Sequence, residues 1–237
     1  MSPMLQQGIQ RFKHNRLGFF CLIVFLIIFV LSSAVELIAN DKPLLVRYQQ
    51  HFYFPVIKSY PETTFGGVFE TEADYRDPAV QHMIDAQGWQ IWPIVHYSYQ
   101  TPNLELAVPV PSPPTTENWL GTDDQGRDVF ARVLYGLRVS LLFGFALTFF
   151  SALIGILVGA IQGYYGGWVD LFGQRILEVW GGLPMLFMVM ILVSMFTPNV
   201  YWLFLIMLIF GWPTLVGLVR AEFLRARHLD YVQIGRA

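Results

Sequence analysis

Apolar positions along this chain gather in long unbroken runs rather than in the alternating or every-third-residue patterns of a water-facing domain. Residues 17–35, LGFFCLIVFLIIFVLSSAV, carry no charge. No Asp, Glu, Lys or Arg occurs from Val139 to Val169, and none from Val179 to Val219. At about 1.5 Å per helical residue the first run is about 28 Å long, close to the roughly 30 Å of a bilayer's hydrocarbon core. The run 179–219 would extend about 61 Å as a single helix, twice the membrane, so it has to fold back. TPNVY at 197–201 supplies the break, because proline cannot continue a helix and asparagine favours turns. The pattern therefore predicts four spans, at about 17–39, 139–162, 177–196 and 201–219, with GYYGGWVD (163–170) as the turn after the second.

Residues 40–120 break the pattern. They are polar and rich in aromatic residues and proline, with FYFPV, GWQIWPIVHYSY and VPVPSPP, and no run there is long enough to span. Their Trp and Tyr content suits a partly folded region resting at a membrane surface, with VPVPSPP as a stiff extended connector.

Composition agrees with membrane insertion. Hydrophobic residues make up 54 % of the chain and charged residues 14 %, against roughly 25 % in soluble domains. Mean hydropathy is +0.47. The fold class expected is an all-α integral membrane protein. Arg11, Lys13, His14 and Arg16 precede the first span, and Arg220, Arg225 and Arg227 follow the fourth. Both basic flanks should lie in the cytoplasm, and an even number of spans allows it. That makes 1–16 a cytoplasmic N-terminus, 40–120 a periplasmic segment and 121–237 a transmembrane domain. A cleavable signal peptide with SSA (32–34) at its cleavage site would need a shorter apolar core of about 7–15 residues. The first run is read as an uncleaved span.

Charge and cysteine exclude more than they specify. The net charge of −2 carries no basic stripe for nucleic acid. The single cysteine, Cys21, permits no intrachain disulfide. No Walker A loop is present, so no nucleotide hydrolysis is expected on this chain.

The most charged octet, GTDDQGRD at 121–128, raises the question of a metal or catalytic site. Aligned as a calcium loop with Gly126 at its sixth position, it offers Gly121, Asp123 and Gln125 as the leading ligands and Arg132 in place of the final glutamate. That register fails. A structural joint accounts for more of the residues. Thr122 and Gln125 have capping-box spacing. Val129, Phe130, Val133, Leu134 and Leu137 share one helical face, with Asp128 and Arg132 paired four apart on the other. Gly121, Thr122, Asp123, Asp124, Gly126, Arg127 and Asp128 are thus assigned to a helix entry before the second span. Within that span Gly155, Gly159 and Gly163 repeat every four residues, a small-residue face for close helix contact. Gly181, Gly182 and Pro184 would loosen the third span, and Trp212 with Pro213 would kink the fourth. Glu178, near one end of the third span, is read as a carboxylate reaching the interface rather than a substrate ligand.

NWLGTDDQGRDVFARVLYGLRVSLLFG, followed by VGAIQGYYGGWVD, resembles the inner-membrane permeases of bacterial ABC importers of the oligopeptide, dipeptide and nickel class. ELIANDKPLLVRY, YFPV, FGG and TEADYRDP are similar to a narrower branch linked to microcin C and peptide uptake. The resemblance implies a type I importer permease of six spans, four of them within this sequence. It implies a cytoplasmic coupling loop that docks on an ATPase, here beginning at about 228–237 with Asp230, Tyr231, Gly235 and Ala237. Ile234 and Gly235 stand where that loop usually has two alanines, and the sequence ends before the loop is complete, as expected for a truncated or fragmentary permease. Also implied are a second permease subunit, ATP-binding cassette subunits carrying ATP and magnesium, a periplasmic peptide-binding protein, the bacterial inner membrane, and no cofactor or catalysis on this chain. An ion-coupled transporter is the alternative, but its spans would carry ionisable residues. A membrane anchor or sensor working through residues 40–120 is a second alternative.

Overall fold

The computed structural model describes residues 10, 12–104, 106, 108–197, 199–227 and 229. The chain divides into two compact units, residues 1–140 and 141–237.

The first unit opens with α1 (Arg16–Ser33), capped by Asn15, whose Oδ1 accepts from Gly18 N at 3.1 Å. Its apolar side chains, among them Leu17, Phe20 and Val30, are exposed all round, as suits a lipid-facing helix. A short turn of helix, α2 (Val35–Ile38), leads into a folded segment. Strands β1 (Leu45–Tyr48) and β2 (His51–Tyr53) form a hairpin whose two turn residues, Gln49 and Gln50, both have positive φ. After a 3-10 turn (Glu62–Phe65), helix α3 (Pro78–Gln87) begins on Asp77, which accepts from Ala79 N at 2.8 Å with proline in the first turn. Strand β3 (Gly88–Ile91) then pairs with the other edge of β1 to give the antiparallel order β2-β1-β3.

Val46 and Tyr48, two apart on β1, point to one face, and Val80 and Ile84, four apart on α3, meet them. Phe65 lies at the centre of this core, edge-on to Tyr48, Tyr53 and Tyr75 with ring centroids 5.4–5.6 Å apart. The expectation of a partly folded segment takes a specific form. Residues 40–100 contain a small sheet-and-helix fold with its own buried core, set within an otherwise helical chain. Strands of three or four residues are too short to leave a periodic signal in sequence.

A second cluster joins this segment to the start of the next span. Ala39, Val95, Tyr97 and Ala131 are buried together, flanked by Phe130, Leu134 and Tyr135. The Tyr135 hydroxyl donates to Ala39 O at 3.1 Å, and Arg138 pairs with Glu36 at 3.0 Å. The buried face of this helix is thus 131/134/135. Val133, placed in the sequence-based apolar face, is exposed.

Helix α4 (Val129–Tyr165) runs 37 residues without a break, about 55 Å. In the second unit α4 reverses at Gly166 into α5 (Gly167–Gly181), which is followed by α6 (Met185–Met195). The predicted turn at 163–170 is thus much shorter, and the predicted third span at 177–196 is not one helix. The helical segment there begins ten residues earlier and is bent by 73° between α5 and α6. The charges that seemed to delimit it are accommodated by pairing: Arg175 meets Glu178 at 2.6 Å, and Asp170 meets Arg220. Helices α7 (Val200–Gly211) and α8 (Pro213–Ala226) follow. Asn199 caps α7 by accepting from Tyr201 N at 2.9 Å. Trp212 between the two keeps helical dihedrals (φ −63°, ψ −28°), so they form one 27-residue span rather than a sharply kinked pair. Among the described residues three helices are long and apolar enough to cross a membrane, or four if the bent pair is one span.

Candidate functional site

The charged octet is built inward. Gly121 and Gly126 have φ of 73° and 76°, a region that disfavours side chains. A Cβ on Gly121 would also sit 2.3 Å from Ser112 O. Thr122 is buried and accepts from Ser112 N at 3.0 Å, so it does not cap a helix. Asp128 does: its Oδ1 accepts from Ala131 N at 2.7 Å, and α4 starts one residue later. Its Oδ2 accepts from Asn118 Nδ2 at 2.8 Å, and Asn118 Oδ1 accepts from Asn103 Nδ2 at 2.9 Å. The expected Thr122–Gln125 capping box and Asp128–Arg132 pair are both replaced. Arg132 pairs with Asp123 instead.

Asp123 organises the loop around one carboxylate. It accepts from Gln125 N, Arg127 N and Arg127 Nε, each at 2.9 Å. Burial alone would raise its pKa; the hydrogen bonds from Arg127 and Gln125, with the Arg127 charge, outweigh that and hold it at about 2. Asp124 is exposed at the rim. Two of the three aspartates are thus committed to backbone N–H groups.

In the second unit, α4 lies against α8 along its glycines. A Cβ on Gly155 would come within 2.8 Å of Trp212 O, on Gly159 within 2.8 Å of Val216 O, and on Gly163 within 2.7 Å of Arg220 O. Any side chain there would push the backbones apart, which is the physical content of a small-residue helix face.

Three helices converge where that contact ends. Arg220 of α8 forms a two-pronged pair with Asp170 of α5, with Nη2 to Oδ2 at 2.7 Å. Gln162 of α4 is buried, accepts from Gln174 Nε2 at 2.9 Å, and packs over Gly173. The Arg227 guanidinium lies on Gly166. At its other end α5 is fastened to α7: Trp180 Nε1 donates to Ile209 O at 3.1 Å and its ring lies 5.8 Å from Phe210. The break follows at once. Gly181 ends α5 with open space beside it, Gly182 N bonds back to Glu178 O, and Pro184 starts α6.

The Asp170–Arg220 pair was not assigned from sequence, although a signal existed. Each is the first charge to end one of the two long uncharged runs. Asp230, Tyr231, Gly235 and Ala237 lie outside the described residues.

Comparison with known proteins bears on this arrangement. Residues 139–237 match the family described as binding-protein-dependent transport system inner membrane component. The whole chain is 51 % identical to the inner membrane ABC transporter permease protein YejE of Escherichia coli strain K12, covering 70 % of that protein. The chain belongs to this permease family. It is a multi-pass protein of the inner membrane. The peptidoglycan transport system permease protein YejE of Agrobacterium fabrum is 44 % identical across the whole chain, which spans 68 % of it. The dipeptide transport system permease protein DppC of Bacillus subtilis strain 168 is 38 % identical over 120 residues, 51 % of this chain and 38 % of its own length. The small-residue contact of α4 with α8 and the broken α5–α6 segment both lie within the family-matched residues.

Proposed function

We propose that this permease forms half of the translocation pathway of an ATP-driven, binding-protein-dependent importer of peptides, with microcin C-like peptides within its range. The observation that carries this reading is the 51 % identity maintained across all 237 residues to an ABC transporter permease. The peptide class is supported by the dipeptide and peptidoglycan systems named for other relatives. A second permease would supply the other half of the pathway. Separate ATP-binding cassette subunits would bind ATP and magnesium and carry out hydrolysis, and a periplasmic binding protein would deliver the peptide.

The N-terminus lies in the cytoplasm in this reading, because Lys13 and Arg16 flank the first span and Arg220, Arg225 and Arg227 crowd the end of α8. The ATPase then engages the segment containing Asp230, Tyr231, Gly235 and Ala237. Substrate passes beside the α5–α6 break, where Gly181, Gly182 and Pro184 free backbone groups that are tolerated at membrane depth only against protein or water. Alternation between inward- and outward-open states requires differential contacts in each state. Trp212 and Pro213 lie at the joint of the neighbouring span.

The test is affinity purification of the permease from membranes, followed by uptake of a labelled peptide in vesicles supplied with ATP. Co-isolation of an ATP-binding cassette subunit and ATP-dependent uptake are expected. A permease that recruits no ATPase, or takes up peptide on an ion gradient alone, would sink the reading.

A further inference from the structure

We propose that the Asp170–Arg220 ion pair is a positioning strut that makes α5 move with α8, so that the broken span bends at residues 182–184. The inference rests on the importer reading above. It concerns how displacement of α8, delivered from its C-terminal end, reaches the pathway.

Helix α5 is held to the α7–α8 span at two places. Near its N-terminal end Asp170 receives both prongs of the Arg220 guanidinium, with the two side chains 16 % and 27 % exposed. At its C-terminal end Trp180 bonds to Ile209, and its ring lies tilted against Phe210. A forked arginine–carboxylate pair fixes an angle as well as a distance, unlike a lysine point charge. The Arg220 backbone is meanwhile pressed against Gly163, so α8 cannot rotate there without moving Arg220. Directly beyond Trp180 the restraint lapses, and the chain meets the α7–α8 span again only past the far end of α6, where Phe196 stacks on Trp202 at 4.4 Å. Gly181 has no neighbour within 4 Å of a Cβ position, and the chain turns by 73° into α6. A push on the end of α8 is therefore carried through Arg220 into α5 and is absorbed at Gly182–Pro184.

A static brace would share this geometry but not its consequence. Partial burial strengthens the pair relative to a surface pair and leaves an uncompensated charge when one partner is removed. If the pair served stability alone, hydrolysis and uptake would fall together as assembly failed. A strut, when cut, leaves hydrolysis running while α6 no longer follows.

The test uses the importer assembled with its partner subunits, in a Cys21→Ser background with spin labels at Leu157→Cys on α4 and Leu186→Cys on α6. These positions are 54 % and 70 % exposed. The distance between labels is measured with and without ATP, alongside peptide imported per ATP hydrolysed. The ATP-dependent shift in Asp170→Asn is expected to fall by half or more. Import per ATP should fall about tenfold, within the range usual for coupling between sites. Asp170→Arg combined with Arg220→Asp should recover both. If Asp170→Asn does not assemble, Arg220→Lys is measured instead, since it keeps the charge and loses the fork; the same losses are expected. An undiminished shift in the measured variant, or hydrolysis and import falling in proportion, overturns the proposal. An unsubstituted importer that takes up peptide on ATP without any shift between the labels also overturns the proposal, whereas failure of ATP to drive uptake at all overturns the importer reading.

Discussion

Asn118 donates from Nδ2 to Oδ2 of Asp128 across 2.8 Å, and both side chains are fully buried. Ten residues apart, they turn the charged octet into an anchor for α4, with the other carboxylate oxygen of Asp128 capping the helix. A buried carboxylate persists when its acceptor positions are filled by donors, as here. Replacing Asp128 by Ala removes the cap and leaves the Asn118 amide without its partner. The expected cost is about 2–4 kcal/mol, summing a lost cap and an unsatisfied buried group. Thermal unfolding in detergent checks this, and an unchanged midpoint would contradict the anchoring role.

Asp123 predicts an acid-sensitive loop. Its folded pKa of about 2 lies below the usual value of 3.8. A depressed carboxylate stabilises the folded state fully above the unfolded pKa, and the contribution is lost as pH falls through the folded one. Stability of the unsubstituted protein should therefore decline between about pH 4 and pH 2. Asp123→Asn should flatten that limb while lowering stability at neutral pH. A limb of equal slope in both proteins would show that Asp123 is not its source.

Two glycines on α4 should respond in opposite ways. Gly159→Ala places a Cβ 2.8 Å from the Val216 carbonyl oxygen and 2.9 Å from Val219 Cβ, so α4 and α8 must separate. Gly144→Ala meets nothing within 4 Å and should be neutral or stabilising, by up to about 1 kcal/mol, through helix propensity. Comparing unfolding midpoints of the two variants isolates the packing contribution. Equal effects would mean that the close contact carries no energy.

Phe65→Ala should unfold the small sheet-and-helix fold without ejecting the spans. A fully buried aromatic in contact with three others costs about 3–5 kcal/mol to truncate. Limited proteolysis of spheroplasts should then cut within residues 40–100 while membrane association persists. Resistance equal to that of the unsubstituted protein would show that this core is not what holds the segment together.

Some features were legible because the physics behind them acts along the chain. The spans could be read because a bilayer rejects charge over a fixed thickness, and the runs around Ile27, Leu153 and Leu205 obey that one-dimensional demand. The spacing of Gly155, Gly159 and Gly163 identified a helix face by the same local logic, though not the helix that covers it. Other features were read wrongly. Thr122 and Gln125 had the spacing of a capping box, yet Asp128 took that role because Asn118, distant in sequence, completed its hydrogen bonding.

The sequence by itself determined that this chain crosses a membrane and carries a charged joint before its long second span, because composition and charge placement are properties of the chain alone; the permease reading came from its resemblance to a known family. The tertiary structure decided what those residues touch. It placed Val46 and Phe65 in a core, bent the segment expected as the third span at Gly182–Pro184, and joined Asp170 to Arg220 across 50 positions. Such pairings depend on helices meeting in space, and the energy that selects them exists only once the partners have been brought together.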